Sequence, residues 1–387
     1  MNLSESSRPS VTHGVSLFSR SPREVDAWKE RISQWLQRRG LLESVLLEVQ
    51  SQPSESRLTA HLTPSAFERW TPVWDTLGLA ERLAIDFPER GDRLELEILI
   101  AMLASPVPFE FPSLEELEST LQVRMNIVDA ASKTFLSFDA YGAERPEEFW
   151  EYDEARGYVV RSGKSMIEAL RLATQPGDDG YVYSFSCYRA TEYVIALGLA
   201  QEIKRCNEGL FSDLQLQSER RAIRSGEFHE VFMKEYGSHQ TPLPAKYYVP
   251  GDRVWFKNPD PESADALGFE GSWVFYLGSG RFTDFWKRNK AFTLELKCLE
   301  MFHWRHSTYR DEEGILRMDE KKVQENMRAS EQDAEALNLI YQRMYRTQDP
   351  RGVYADGGII DPSREYPRRV RPETTDIVLP DIQKQLA

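Results

Sequence analysis

Gly180-Tyr181-Val182-Tyr183-Ser184-Phe185-Ser186-Cys187 opens the stretch on which the fold turns. The helical pattern after it runs to about Arg205 and is apolar nearly all round between Val194 and Ala200. A helix without a polar face is buried on several sides, so this one belongs in the middle of a core. Cys187 stands at its start. A helix N-terminus carries about half a positive charge and unpaired amide donors. That position is expected to lower the thiol pKa and to offer amides to an oxyanion. The bland alternative is a structural cysteine, since free cysteine is among the most buried residue types. Cys206 lies at the far end of the same helix and Cys298 in an apolar segment, and both read as structural.

Downstream, strands read at Asp252–Phe256, Ser272–Leu277 and Gly280–Asp284, punctuated by Gly and Pro. Upstream, Ser113-Leu114-Glu115-Glu116 reads as a capping box. Leu114, Leu117, Leu121, Met125, Val128, Ala131 and Phe135 then step by three and four, which predicts a helix to about residue 136. A hairpin is expected over 149–161, a helix over 164–173 and a loop over 175–180. Residues 292–304 fit helix or strand, and one charged helix is expected over about 319–346. Nearer the N-terminus, Ser21 and Pro22 signal a helix start, Trp28, Ile32 and Trp35 recur at helical spacing, and Gly40 ends it. The pattern divides into a flexible leader (1–20), a small N-terminal unit (21–91), a core (92–305), a charged helical extension (306–347) and an extended surface tail (348–387). The class is α+β.

The chain has 387 residues, with 48 basic against 62 acidic and a net charge of −14. That balance argues against nucleic-acid binding, which rests on lysine and arginine releasing phosphate counterions. Nine Trp and 19 Phe exclude a disordered chain. No apolar run approaches the roughly 18 residues of a membrane span, and MNLSESSRPS has none of the features of a standard signal peptide. Three scattered cysteines suit neither a disulfide framework nor a zinc site. A cytoplasmic location is expected; delivery by a dedicated secretion system is not readable. Walker, dinucleotide, His-Glu-x-x-His and Gly-x-Ser-x-Gly motifs do not occur.

Candidate bases for Cys187 are few. His303 and His306 sit among aromatic residues, while Glu270 and Asp284 flank the Ser272–Leu277 strand. For each, a structural histidine or an exposed loop acid is the plainer reading.

Several strings are more specific. Pro106-Val107-Pro108-Phe109-Glu110-Phe111, Arg124-Met125-Asn126-Ile127-Val128, Phe149-Trp150, Gly180 through Cys187, Gly251-Asp252 through Phe256-Lys257-Asn258-Pro259, and Gly271 through Gly278 follow one another in order. Together they resemble the spore-coat transglutaminases of Bacillus type over about 92–305, a little over half the chain. The resemblance implies a papain-like (NlpC/P60-type) core with a central helix on an antiparallel sheet. It also implies protein-glutamine gamma-glutamyltransferase activity without calcium or another cofactor, acting on accessible glutamine and lysine of proteins. Cys187 falls on the family's nucleophile. The pattern departs from the family where Ser186 replaces a glutamate before the nucleophile, Ser272 replaces the strand glutamate after Gly271, and Asp284 replaces a histidine. Two carboxylates are candidates to take over: Asp284 by alignment, and Glu270 because residues two apart on a strand share a face. Three outcomes stay open: a crosslinking transferase, a deamidase or toxin-like effector of the same chemistry, and an inactive binding or structural module.

Overall fold

The computed structural model describes residues 13–19, 22–51, 55–84, 93–138, 143–177, 180–222, 225–286, 290–350 and 357–380. It is a mixed α+β structure built around the Cys187–Cys206 helix. That helix packs between the helices Leu114–Lys133 and Met166–Thr174 and against the strand Gly271–Gly278. Val194, Ile195, Leu197, Leu199, Ala200 and Ile203 are all buried, as an all-round apolar helix requires. Its close approach to the Leu114–Lys133 helix depends on Gly198, where an added Cβ would stand 2.6 Å from the Ile127 side chain and 3.0 Å from its backbone nitrogen.

The central sheet has five strands in the order Arg281–Thr283, Gly271–Gly278, Arg253–Lys257, Ser363–Pro367 and Met233–Gly237, and each neighbouring pair is antiparallel. Alternation along Gly271–Gly278 splits two cores. Phe275 and Leu277 face the Cys187 helix, whereas Val274 and Tyr276 face the helices Leu294–Trp304, Glu320–Glu331 and Ala334–Met344. A second, four-stranded sheet joins Val45–Ser51, Ser56–Leu62, Val15–Ser19 and Phe109–Phe111. Its core also takes in the Arg93–Leu103 helix, Tyr236, Tyr247 and Val249.

Several sequence expectations change here. The proposed leader contributes Val15–Ser19 as an interior strand of the second sheet, and residues 1–12 lie outside the described residues. The N-terminal unit does not stop at residue 91, because Phe109–Phe111 pairs in parallel with Val15–Leu17. The helix expected from Ser21 runs Pro22–Arg38, with Ser21 itself outside the described residues. Residues 294–304 are helical. The charged helix expected over 319–346 is two helices, broken where Asp333 caps the second by accepting from the backbone N–H of Glu335 and Ala336.

The largest change concerns the tail. Ser363–Pro367 is not a surface strand but lies inside the central sheet. Beyond it, the backbone N–H groups of Val370 and Arg371 donate to the buried Glu116 carboxylate at 2.9 and 3.3 Å. Only half of the expected capping box therefore forms. Ser113 Oγ accepts from the Glu116 N–H at 3.1 Å, while the Glu116 side chain fastens the C-terminal segment.

The strings that carry the family resemblance have structural tasks. Arg124 donates to Asp252 at 2.8 Å with both side chains fully buried. Asn126 donates to the Gly198 carbonyl at 3.2 Å. Asn258 donates to Ser263 Oγ at 3.0 Å and to the Phe269 carbonyl at 2.9 Å, fixing the loop that leads into Gly271.

Candidate active site

Cys187 is the first residue of its helix, and Ser186 caps it by accepting from the Arg189 N–H at 3.4 Å. The strand Gly271–Gly278 comes in beside it. Gly271 is needed there, since a Cβ would stand 2.5 Å from the Phe256 carbonyl oxygen and 2.5 Å from the Trp255 ring. This approach brings the backbone N–H of Trp273 to the Cys187 sulfur, together with those of Tyr188 and Cys187 itself. Burial nonetheless dominates and pushes the thiol above its ordinary pKa. The Trp273 and Tyr188 amides pull down, the charge of Glu270 pushes up again, and the Cys187 amide pulls down. The expectation that the helix start would lower the thiol pKa is thus reversed: desolvation outweighs the amides.

The sulfur opens on a cavity of about 210 Å³ shared by Cys187, Ser272, Asp284, Lys297 and Glu300. Its aromatic walls are Phe138, Phe269, Trp286 and Trp304. Phe275 is core. Trp273 packs edge-on to Tyr188 and against Trp255, at centroid distances of 5.4 and 5.2 Å.

The predicted residues divide clearly. Asp284 reaches the cavity of Cys187. Glu270 precedes the first strand residue, Gly271, and is exposed; it is not among the residues lining the cavity, though its charge is felt at the thiol. His303 is bonded to Ser330 Oγ at 2.9 Å and His306 accepts from Arg305 at 2.9 Å, and neither lines the cavity. Cys206 ends the helix and Cys298 is buried in the other core.

Two features escaped the sequence reading. Lys297, with a side chain only 4 % exposed, donates to Asp284 at 3.0 Å and to Glu300 at 2.7 Å. Burial opposes its charge, but the two carboxylates outweigh burial and hold it as an ammonium. A lysine between Glu295 and Glu300, in a segment where leucines alternate with charges, was the available signal. The second feature is Arg253, fully buried, whose guanidinium lies over the rings of Tyr188 and Trp273 at 5.1 and 4.8 Å. It donates to Thr191 at 3.2 Å and pairs with Glu365 of the C-terminal strand, which His229 also meets at 3.1 Å. The tail thereby braces Tyr188 and Trp273, whose N–H groups meet the sulfur.

A thiol at the head of a buried helix, facing backbone amides and a carboxylate-lined cavity, is an arrangement suited to acyl transfer. The sequence pattern of the family described as "Protein-glutamine gamma-glutamyltransferase" matches residues 81–346, well over half the chain. The chain belongs to that family. A protein-glutamine gamma-glutamyltransferase of Halalkalibacterium halodurans is 28% identical over 197 residues, 49% of this chain and 63% of that protein. The match therefore spans somewhat less than two thirds of that relative. One of Bacillus subtilis is 25% identical over 198 residues, 48% of this chain and 70% of that protein. A solved transglutaminase of Geobacillus stearothermophilus, without its C-terminal extension, is 18% identical with a TM-score of 0.36, covering 55% of this chain and 98% of that chain. Among the described residues, no helix is long and apolar enough to cross a membrane, and no group of His, Cys, Asp and Glu is disposed to hold a metal ion.

Proposed function

We propose that the chain transfers the γ-acyl group of protein-bound glutamine through a thioester on Cys187, using the central helix and antiparallel sheet as a papain-like scaffold. The observation that carries this reading is the placement of Cys187 as the first residue of the buried helix, on a cavity that Asp284 also lines. In the first step the Cys187 sulfur bonds to the carboxamide carbon. The tetrahedral oxyanion is held by amides at the helix start, and ammonia leaves with the thiol's proton. Asp284 accepts that proton and passes it to the leaving group. Glu270 is the second candidate for this role, and Ser272 is none, since a hydroxyl is not a base at neutral pH. An acceptor nucleophile then resolves the thioester and returns the thiol.

Ammonia release from a glutamine-containing peptide mixture tests this. It is expected from the full chain and not from Cys187→Ser at an unchanged melting temperature. The raised thiol pKa and the commitment of Asp284 to Lys297 favour a second reading, a catalytically silent binding module. Alkylation of Cys187 no faster than that of Cys206 would support it.

A further inference from the structure

The cavity beside Cys187 already contains a lysine ammonium. Lys297 Nζ lies 3.0 Å from Asp284 and 2.7 Å from Glu300, with the Phe292 ring centroid at 4.6 Å and the Trp304 ring centroid at 6.0 Å. Two carboxylates and aromatic faces are the surroundings that an alkylammonium seeks. An acceptor lysine approaching a thioester arrives as such a cation and must be held and deprotonated before it attacks. Here Asp284 and Glu300, the two carboxylates beside the aromatic faces, are occupied from within the chain, and the third carboxylate of the lining, Glu320, is exposed at the start of the Glu320–Glu331 helix. Residue 186 offers no substitute, since it is a serine engaged as the helix cap. Water needs no counter-ion.

We propose that Lys297 is a specificity-determining residue that fills the acceptor's ammonium seat, so that water rather than a lysine amine resolves the Cys187 thioester. This rests on the glutamine chemistry of the preceding section. The steps balance. Cys187–SH and the carboxamide give the thioester and ammonia. Thioester and water then give a glutamate side chain and the free thiol, with one oxygen of the new carboxylate drawn from water. With the seat vacant, a primary amine would instead give a secondary amide and the free thiol.

The experiment uses the full chain, a dimethylated casein digest as glutamine donor, cadaverine as acceptor and heavy-oxygen water. Mass spectrometry reads labelled glutamate against cadaverine adduct. Wild type is expected to form mainly glutamate, with an adduct fraction that rises linearly with cadaverine and does not saturate. In Lys297→Met, and in Lys297→Met/Glu300→Gln should the single variant fold poorly, the adduct-to-glutamate ratio is expected to rise about tenfold and to saturate with cadaverine. Lys297→Arg, which keeps the seat filled, should behave as wild type. A purely structural role for Lys297 would change total turnover and leave the ratio alone. Wild type forming as much adduct as glutamate, or a ratio unmoved in every Lys297→Met background, overturns the proposal while ammonia release upholds the thioester. Absence of ammonia release from wild type overturns the thioester reading itself, and this proposal with it.

Discussion

Trp273 presents its backbone N–H to the Cys187 sulfur, so the strand whose side chains supply no acid still serves the thiol through its main chain. The amide is placed by the close seating of Gly271 on the Arg253–Lys257 strand and by the arginine stacked on the Trp273 ring. Burial around the sulfur nevertheless exceeds this help.

The thiol's titration follows. Because burial sets the Cys187 pKa above its ordinary value of 9.0, the thiolate fraction keeps growing through neutral pH and beyond. Iodoacetamide labelling of Cys187, followed by peptide mass spectrometry, is expected to accelerate about tenfold per pH unit between 7 and 9. A plateau below pH 8 would show a thiolate already formed and contradict the desolvation argument.

Asp284 and Glu270 are separated by their placement, one in the cavity and one exposed before the strand. Loss of a general base typically lowers rate by about 10²–10⁴-fold. Asp284→Asn is expected to lower ammonia release by about that factor, while Glu270→Gln changes it by less than about tenfold. Initial rates of the two variants, side by side at matched folding, decide between them.

Removal of the chain from Ser363 onward is expected to abolish cooperative unfolding. It would expose the edges of Arg253–Lys257 and Met233–Gly237, leave Arg253 buried without Glu365, and strip Glu116 of the Val370 and Arg371 donors. Thermal unfolding followed by far-UV circular dichroism reads the result. A sharp transition in the truncated chain would show that the strand is dispensable.

The buried Arg124–Asp252 pair ties the Leu114–Lys133 helix to the turn before Arg253. Breaking a buried pair by removing one partner costs about 3–5 kcal/mol, because the other charge stays buried. Arg124→Met should show that loss in urea unfolding, and Arg124→Met/Asp252→Asn should recover part of it. Equal losses in the single and double variants would mean that packing, not charge, sets the cost.

His303 gives the protein an acid-sensitive point. Its pKa is lowered from 6.5 to about 4, by burial first and then by the charges of His306 and Arg305. The folded state therefore favours the neutral ring. The stability that His303 contributes is present above the unfolded pKa of 6.5 and is lost as pH falls from there toward about 4. His303→Gln should flatten the fall of melting temperature across that window, and an unchanged slope would count against the assignment.

Much of this protein was legible in the sequence because the signals are local. The all-round apolar run after Cys187, the Ser113 cap, the spacing from Leu114 onward and the alternation at Ser272–Leu277 each depend on residues within a few turns or strand repeats. They located the central helix, its neighbours, the strand pair beside it and the thiol at the helix start. Collinear strings added the family. Tertiary structure alone decided the rest. Ser363–Pro367 enters the middle of the sheet because its pairing partners lie more than 100 residues earlier in the chain, and no short-range pattern records such a register. Glu116 read as a local capping residue until the C-terminal segment claimed its carboxylate. The helix start at Cys187 was visible, but the sign of the thiol's pKa shift depends on how deeply other segments bury the sulfur. Lys297 belongs to the site for the same reason: a lysine in a segment of mixed pattern acquires its meaning from the carboxylates that folding brings within 3.0 Å.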